Sequence, residues 1–238
     1  MDRDAGIEAS NVLNRSFGVA DFEFDRATGV AIRTLGTTDY LRCWRAMQAF
    51  TDARLPATRD EIWLTEHAPV YTLGLAGRDE HLRDTRQVPV VRVDRGGQVT
   101  FHGPGQLVAY LLFDLRRARV GVRHMVRAIE AAVVEFLDSL GVSAYGKPAA
   151  PGVYVLVRGV EAKIAALGLK VRNGCTYHGL ALNVSMDLSP FAAIDPCGYP
   201  GLAVTSLAEL GMSTTVGAVG AALAPRLAAH LTQVESGR

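Results

Sequence analysis

Cysteine is scarce in this chain: three among 238 residues, Cys43, Cys175 and Cys197. An odd count without framework spacing excludes a disulfide scaffold and leaves at least one thiol free. Excess charge is missing too, since 25 Lys and Arg face 24 Asp and Glu, a formal net charge of +1. That balance gives no bulk attraction to nucleic acid or to a membrane surface, and neither is expected as a partner. Long apolar runs are absent. VAYLLFDL, the longest-looking one, is broken by Asp114 and falls short of a membrane span. The opening MDRDAGIEAS has no apolar h-region, so a cytoplasmic protein is expected.

Apolar residues and glycine are what the chain has in quantity. Hydrophobic residues make up 49% of it, enough for one substantial core. Much of the glycine falls between residues 95 and 211, which points to tight turns and close backbone approach. Residues 1–27 show no periodicity and are expected to form a loose extension, with 28–238 as a single domain. GVAIRTLG reads as a strand, and Thr38 as the cap of a helix reaching about Arg54, with Tyr40, Leu41, Trp44 and Met47 on one face. EIWLTEH and VYTLGL read as strands parted by Pro69. VVRVD and QVTFH alternate on either side of Gly96-Gly97, which predicts a two-residue hairpin. A helix is predicted over Val122 to Leu140, burying Met125, Ile129, Val133, Phe136 and Leu140 and stopped by Gly141. GVYVLV, KIAALGLKV and YHGLALNV give three more strands, and Val216 to Leu231 a last helix that Pro225 should kink or shift. The class is α+β.

Cys197 stands in Asp195-Pro196-Cys197-Gly198, where proline fixes its own φ and glycine frees the far side. Such a turn presents its central side chain rigidly and exposes backbone N–H groups that could hold an oxyanion. A thiol suits attack on a thioester, because it is nucleophilic and stores the acyl group at similar energy. The tetrapeptide alone reads more readily as a small buried hydrophobe that happens to lie in a loop. Lys163 opens KIAALGLKV. Under strict alternation it shares a face with Ala165, Leu167, Leu169 and Val171, where it either snorkels from a strand end or is desolvated to act on a neighbouring thiol.

Ala166 and Gly168 alternate out of one strand, Gly179 and Ala181 out of another. Side by side they would leave a trough for an alkyl chain, or a seat for a helix. Simple alternation puts Lys163 on the opposite face, so a bulge or turn near 161–165 must break the parity if both serve one cavity. The run Arg95-Gly96-Gly97-Gln98-Val99-Thr100-Phe101-His102-Gly103-Pro104-Gly105-Gln106 is too rich in glycine for a plain strand and suggests a substrate loop, with Gln98, Thr100 and His102 facing one way. His178 is a candidate partner for a cysteine, or a hydrogen-bonded structural histidine. Cys175 and His178 lack a second matching pair, so no metal site is expected.

Read in order, RGGQVTFHGPGQ, PGVYV, AKIAALGLKV, GCTYHGLALNV, DLSPF, PCG and TSL closely resemble the lipoyl(octanoyl) transferases, over about residues 30–212. The resemblance implies a mixed β-sheet flanked by helices, like the catalytic domain of biotin and lipoate protein ligases. It implies transfer of an octanoyl group from octanoyl-acyl carrier protein to a lysine of lipoyl domains, those of 2-oxoacid dehydrogenase E2 subunits and the glycine cleavage H protein. It implies Cys197 as the acylated nucleophile and Lys163 as the group that lowers its pKa; Lys163 in its neutral form is in addition a candidate base for the acceptor amine. It places acyl binding at Arg95, Gly96, Gly97, Gln98, Val99, Thr100, Phe101 and His102, at Ala166, Leu167 and Gly168, and at Gly179, Leu180 and Ala181. No cofactor is implied, since thioester to amide is downhill. Phe101 stands where the family usually has tyrosine, and GLAG at 74–77 is looser than its pattern. The rival readings are an ATP-dependent lipoate or biotin ligase on the same fold, and a non-catalytic acyl-binding module.

Overall fold

Runs of β-branched and aromatic residues, parted by glycine, proline and aspartate, build most of the molecule. The computed structural model describes residues 17, 22–85, 87–198 and 201–233, with the backbone alone for Phe22 and Cys197. In chain order its longer elements are β1 (Phe22–Phe24), β2 (Ala31–Thr38), α1 (Tyr40–Asp52), β3 (Glu61–His67), β4 (Val70–Leu73), β5 (Val90–Arg92), β6 (Val99–His102) and β7 (Gln106–Leu112). Then come α2 (Leu115–Ala118), α3 (Val122–Asp138), β8 (Ala144–Gly146), β9 (Gly152–Val157), β10 (Val160–Arg172), β11 (Cys175–Asn183), β12 (Ala203–Val204) and α4 (Val216–Thr232). Short 3-10 helices cover Asp79–His81, Ser189–Ala193 and Pro196–Gly198.

The main sheet runs β1-β2-β3-β7-β11-β10-β9-β8, with β12 paired to β10. It is mixed, as expected: β2 and β3 are parallel and so are β10 and β12, while the other pairs are antiparallel. One face takes α3 and α4, with Met125, Ile129, Val133 and Phe136 packed among Leu223, Leu227 and Leu231. The other takes α1, whose Cys43, Ala46, Met47 and Phe50 bury against Trp63, Val108, Tyr110, Leu112 and Tyr177.

Several expectations shift. Asp39, not Thr38, caps α1 and accepts from the Arg42 amide at 2.8 Å. Thr38 ends β2 instead, its hydroxyl 2.8 Å from that of Thr65. Leu41 is exposed, because it sits about 100° round the helix from Tyr40. Leu140 lies past the end of α3 and is exposed as well. α4 runs unbroken through Pro225. Phe22–Phe24, in the stretch expected to be loose, pairs antiparallel with β2, and residues 1–16 and 18–21 of that stretch lie outside the described residues.

The largest correction is the hairpin. β5 and β6 do not pair with each other, since β4 lies between them, parallel to β5 and antiparallel to β6. Residues 93–98 are therefore a loop rather than a turn, held from below by the 74–76 backbone. Gly74 N–H donates to Gln98 O at 3.2 Å, Leu75 to Arg95 O at 2.9 Å and Ala76 to Gly97 O at 3.1 Å. A Cβ on Gly74 would lie 2.4 Å from Gly97 O, so glycine is what lets the two segments touch.

Candidate active site

The small residues of β10 and β11 meet as direct partners, Ala166 with Ala181 and Gly168 with Gly179. Pleating turns Ala166, Gly168 and Ala181 to one face of the sheet with no more than a methyl group there, and Gly179 has no side chain because a Cβ would lie 2.0 Å from Ala109 O. The trough they leave is roofed by the 95–100 loop, whose Gly96 N–H donates to Leu169 O at 2.9 Å. A cavity of about 410 Å³ results, of a size suited to a small ligand.

The register between β9 and β10 slips between Lys163 and Ala165, so the bulge that the parity argument demanded is present. Its effect is local. Ile164 and Ala165 both join the helix-side core, while Lys163 reaches the cavity with Ala166 and Gly168. Lys163 does not snorkel, being only 3% exposed. Its Nζ donates to Pro151 O at 3.2 Å and lies 5.0 Å from the centre of the Tyr154 ring. Lys163 and Thr100 also line a small adjoining void with Pro196 and Val204, which puts the lysine beside the turn that carries Cys197.

That turn is tethered from outside. Asp195 N–H donates to His81 O at 3.0 Å, its carboxylate pairs with Arg83, and the Gly198 N–H donates to Asp195 O at 2.9 Å. The last bond alters the expectation drawn from the tetrapeptide, because one of the amides meant for an oxyanion is already used. Gly198 has φ +74°, which favours glycine at the turn, and a Cβ there would lie 3.0 Å from Gln98 Nε2.

Of the fourteen residues expected to bind an acyl chain, all but Phe101 line the cavity. Phe101 points the other way, into a cluster with Tyr71 and Phe191 at ring separations of 5.2 and 5.8 Å. Strand alternation accounts for this, since Gln98, Thr100 and His102 take the other parity.

The cavity has a rim and a floor. Gly97, Ala149 and Pro151 are exposed along it, and Val122, 42% exposed, shows where it opens. At the buried end stand Tyr40, His102, Tyr110 and His178. Sequence reasoning missed this polar floor except for His102 and His178. His178 pairs not with a cysteine but with Asp94, Nε2 to Oδ1 at 2.9 Å. It adopts φ +61° inside β11, which breaks the alternation and lets Tyr177 and His178 both reach Asp94. Burial alone would raise the Asp94 carboxyl, but hydrogen bonds from His178, Tyr177 and Trp44 hold it below the usual carboxylate range.

Burial pushes His102 down to about 3 and His67 to about 4, and it lowers His178 as well. His67 bonds Tyr110 Oη at 2.6 Å, and His102 bonds Gln106 Oε1 at 2.8 Å and stacks on Tyr40. These rings stay neutral when folded but take up a proton near pH 6.5 once unfolded. The stability they give is thus full above pH 6.5 and lost as the pH falls toward 4. We expect His67 and His102 each to withdraw roughly 2 kcal/mol between pH 7 and pH 5. Urea unfolding at the two pH values checks this, and a midpoint that does not fall at pH 5 refutes it.

Residues 39–228 match the family model of the lipoyl protein ligase A/B catalytic domain. The chain is 55% identical over 206 residues to an octanoyltransferase of Nitrosospira multiformis, covering 87% of this chain and 94% of that one. It is 56% identical to an octanoyltransferase of Chromobacterium violaceum, covering 84% and 95%. Among solved structures, a bi-partite lipoate protein ligase of Thermoplasma acidophilum, studied with its E2 lipoyl domain, superposes with a TM-score of 0.68 at 19% identity, covering 85% and 82%. A lipoate-protein ligase A bound with ATP gives 0.64 at 18% identity, covering 82% and 83%. At such identities the structural likeness speaks for the fold alone.

Proposed function

Since the chain belongs to the lipoyl protein ligase A/B catalytic-domain family, we propose that it transfers an octanoyl group from octanoyl-acyl carrier protein to a lipoyl-domain lysine through a thioester on Cys197. The observation that carries this reading is the trough of Ala166, Gly168, Gly179 and Ala181, open at a rim beside Lys163 and the Pro196–Gly198 turn. An alkyl chain laid in it would have its carboxyl end at that rim.

In the first step the Cys197 thiolate attacks the donor thioester. A Cys197 S–C bond forms, and the carrier's phosphopantetheine sulfur leaves as a thiol with the proton the cysteine gave up. In the second, the ε-amine of the acceptor lysine attacks the acyl-enzyme, an amide forms, and the cysteine is released. Lys163 acts twice: its charge favours the Cys197 thiolate, and in neutral form it accepts the proton the amine must lose. No nucleotide enters, because a thioester is already activated.

Purified protein mixed with octanoyl-carrier protein and a lipoyl domain should yield octanoyl-lysine on the acceptor without ATP, read by intact mass. Transfer that demands ATP and free octanoate would mean a ligase. Bound octanoate without turnover would mean an acyl-binding module.

A further inference from the structure

Both proposed steps pass through a tetrahedral intermediate whose acyl oxygen turns negative, and a donor must be aimed at it. The nearby backbone offers less than the sequence suggests. Gly198 N–H is spent on Asp195 O and Gly96 N–H on Leu169 O, each at 2.9 Å. Gln98 stands apart. Its carbonyl is pinned by Gly74 N–H at 3.2 Å, and its side chain lines the cavity. A Cβ on Gly198 would sit 3.0 Å from Gln98 Nε2 and 3.1 Å from its Cδ, so the carboxamide lies against the residue that follows Cys197. No described residue bonds to either end of it, and its Oε1 is buried without a partner. The Nε2–H₂ end is thus a donor left for a ligand oxygen, whereas the buried Oε1 only accepts and is not served by an oxyanion.

We propose that Gln98 is a catalytic residue whose Nε2–H donates to the acyl oxyanion in both transfer steps; this rests on the thioester reading above. As the S–C bond forms, the carbonyl π pair moves onto oxygen, where the Gln98 hydrogen bond stabilises it. As the intermediate collapses, the pair returns and expels the pantetheine sulfur, or in the second step the Cys197 sulfur. The proton stays on Gln98 throughout. Because the loop backbone is fixed before substrate arrives, only the Gln98 side chain has to settle onto the oxyanion.

The test is Gln98→Met, which keeps length and removes the donor, with Gln98→Glu beside it. Rates are measured for acylation by octanoyl-carrier protein, for transfer from preformed acyl-enzyme, and for alkylation of Cys197 by iodoacetamide. Both acyl steps should slow about 10²- to 10³-fold, with KM for the carrier little changed. Alkylation should hold its wild-type rate, because substitution at a saturated carbon builds no oxyanion. Acyl steps at the wild-type rate in Gln98→Met would overturn the proposal. So would alkylation falling in parallel with acylation, which would make Gln98 a residue that positions or tunes the thiol. A wild-type protein that forms no acyl-enzyme would remove the thioester reading and this proposal with it, an outcome told apart because it needs no variant.

Discussion

Cys197→Ala should abolish turnover, a loss of at least about 10³-fold, and with it every trace of covalent acyl-enzyme. The expectation follows from the two-step scheme, in which nothing else takes the acyl group from the donor. Cys43 and Cys175 are poor substitutes. Both are buried, and burial pushes the Cys43 thiol up to about 12 and raises that of Cys175. Neither is among the residues that line the cavity. Intact mass after incubation with octanoyl-carrier protein reads the outcome directly: wild type gains one octanoyl group that hydroxylamine removes, and the variant gains none. An adduct that persists in Cys197→Ala would strike out this nucleophile and make direct transfer between the two substrates the leading mechanism.

How much of this was legible in the sequence depends on whether the information is local. The bulge at Lys163 was legible. Its position follows from counting residues between a lysine and two small side chains, on the condition that they serve one cavity, and pleating converts that count into a face. The hairpin was misread because alternation reports that VVRVD and QVTFH are strands and says nothing of their partners. β4, whose residues pair with partners 19 or more positions downstream, takes one edge of each. The polar floor was out of reach for a related reason. Tyr40, His102, Tyr110 and His178, with His67 and Asp94 bonded behind them, come from six separate segments that only the folded sheets and α1 gather. The Gly198 amide shows the limit at the smallest scale. The tetrapeptide predicts a turn correctly, but which carbonyl that amide chooses is settled by the tether to His81 and Arg83.

Replacing Lys163 should separate the two halves of the reaction. In Lys163→Met the cation is lost, so the Cys197 thiol pKa should rise by roughly 1–3 units, and the pH at half-maximal iodoacetamide alkylation with it. Turnover should drop by about 10²- to 10⁴-fold, since thiolate and base are lost together. Lys163→Arg retains a positive charge but cannot give up its proton. It should therefore still acylate on Cys197 and then stall, so that acyl-enzyme accumulates in the presence of a lipoyl domain. The site has little slack for the longer side chain, because Gly152 already lies where a Cβ would come 3.0 Å from Lys163 Nζ. Thermal unfolding of each variant must accordingly accompany the kinetics. Equal loss of acylation and transfer in a folded Lys163→Arg would deny Lys163 its role as base. An unchanged alkylation profile in a folded Lys163→Met would deny it any hold on the thiol, and any activation of Cys197 would then have to come from the turn itself.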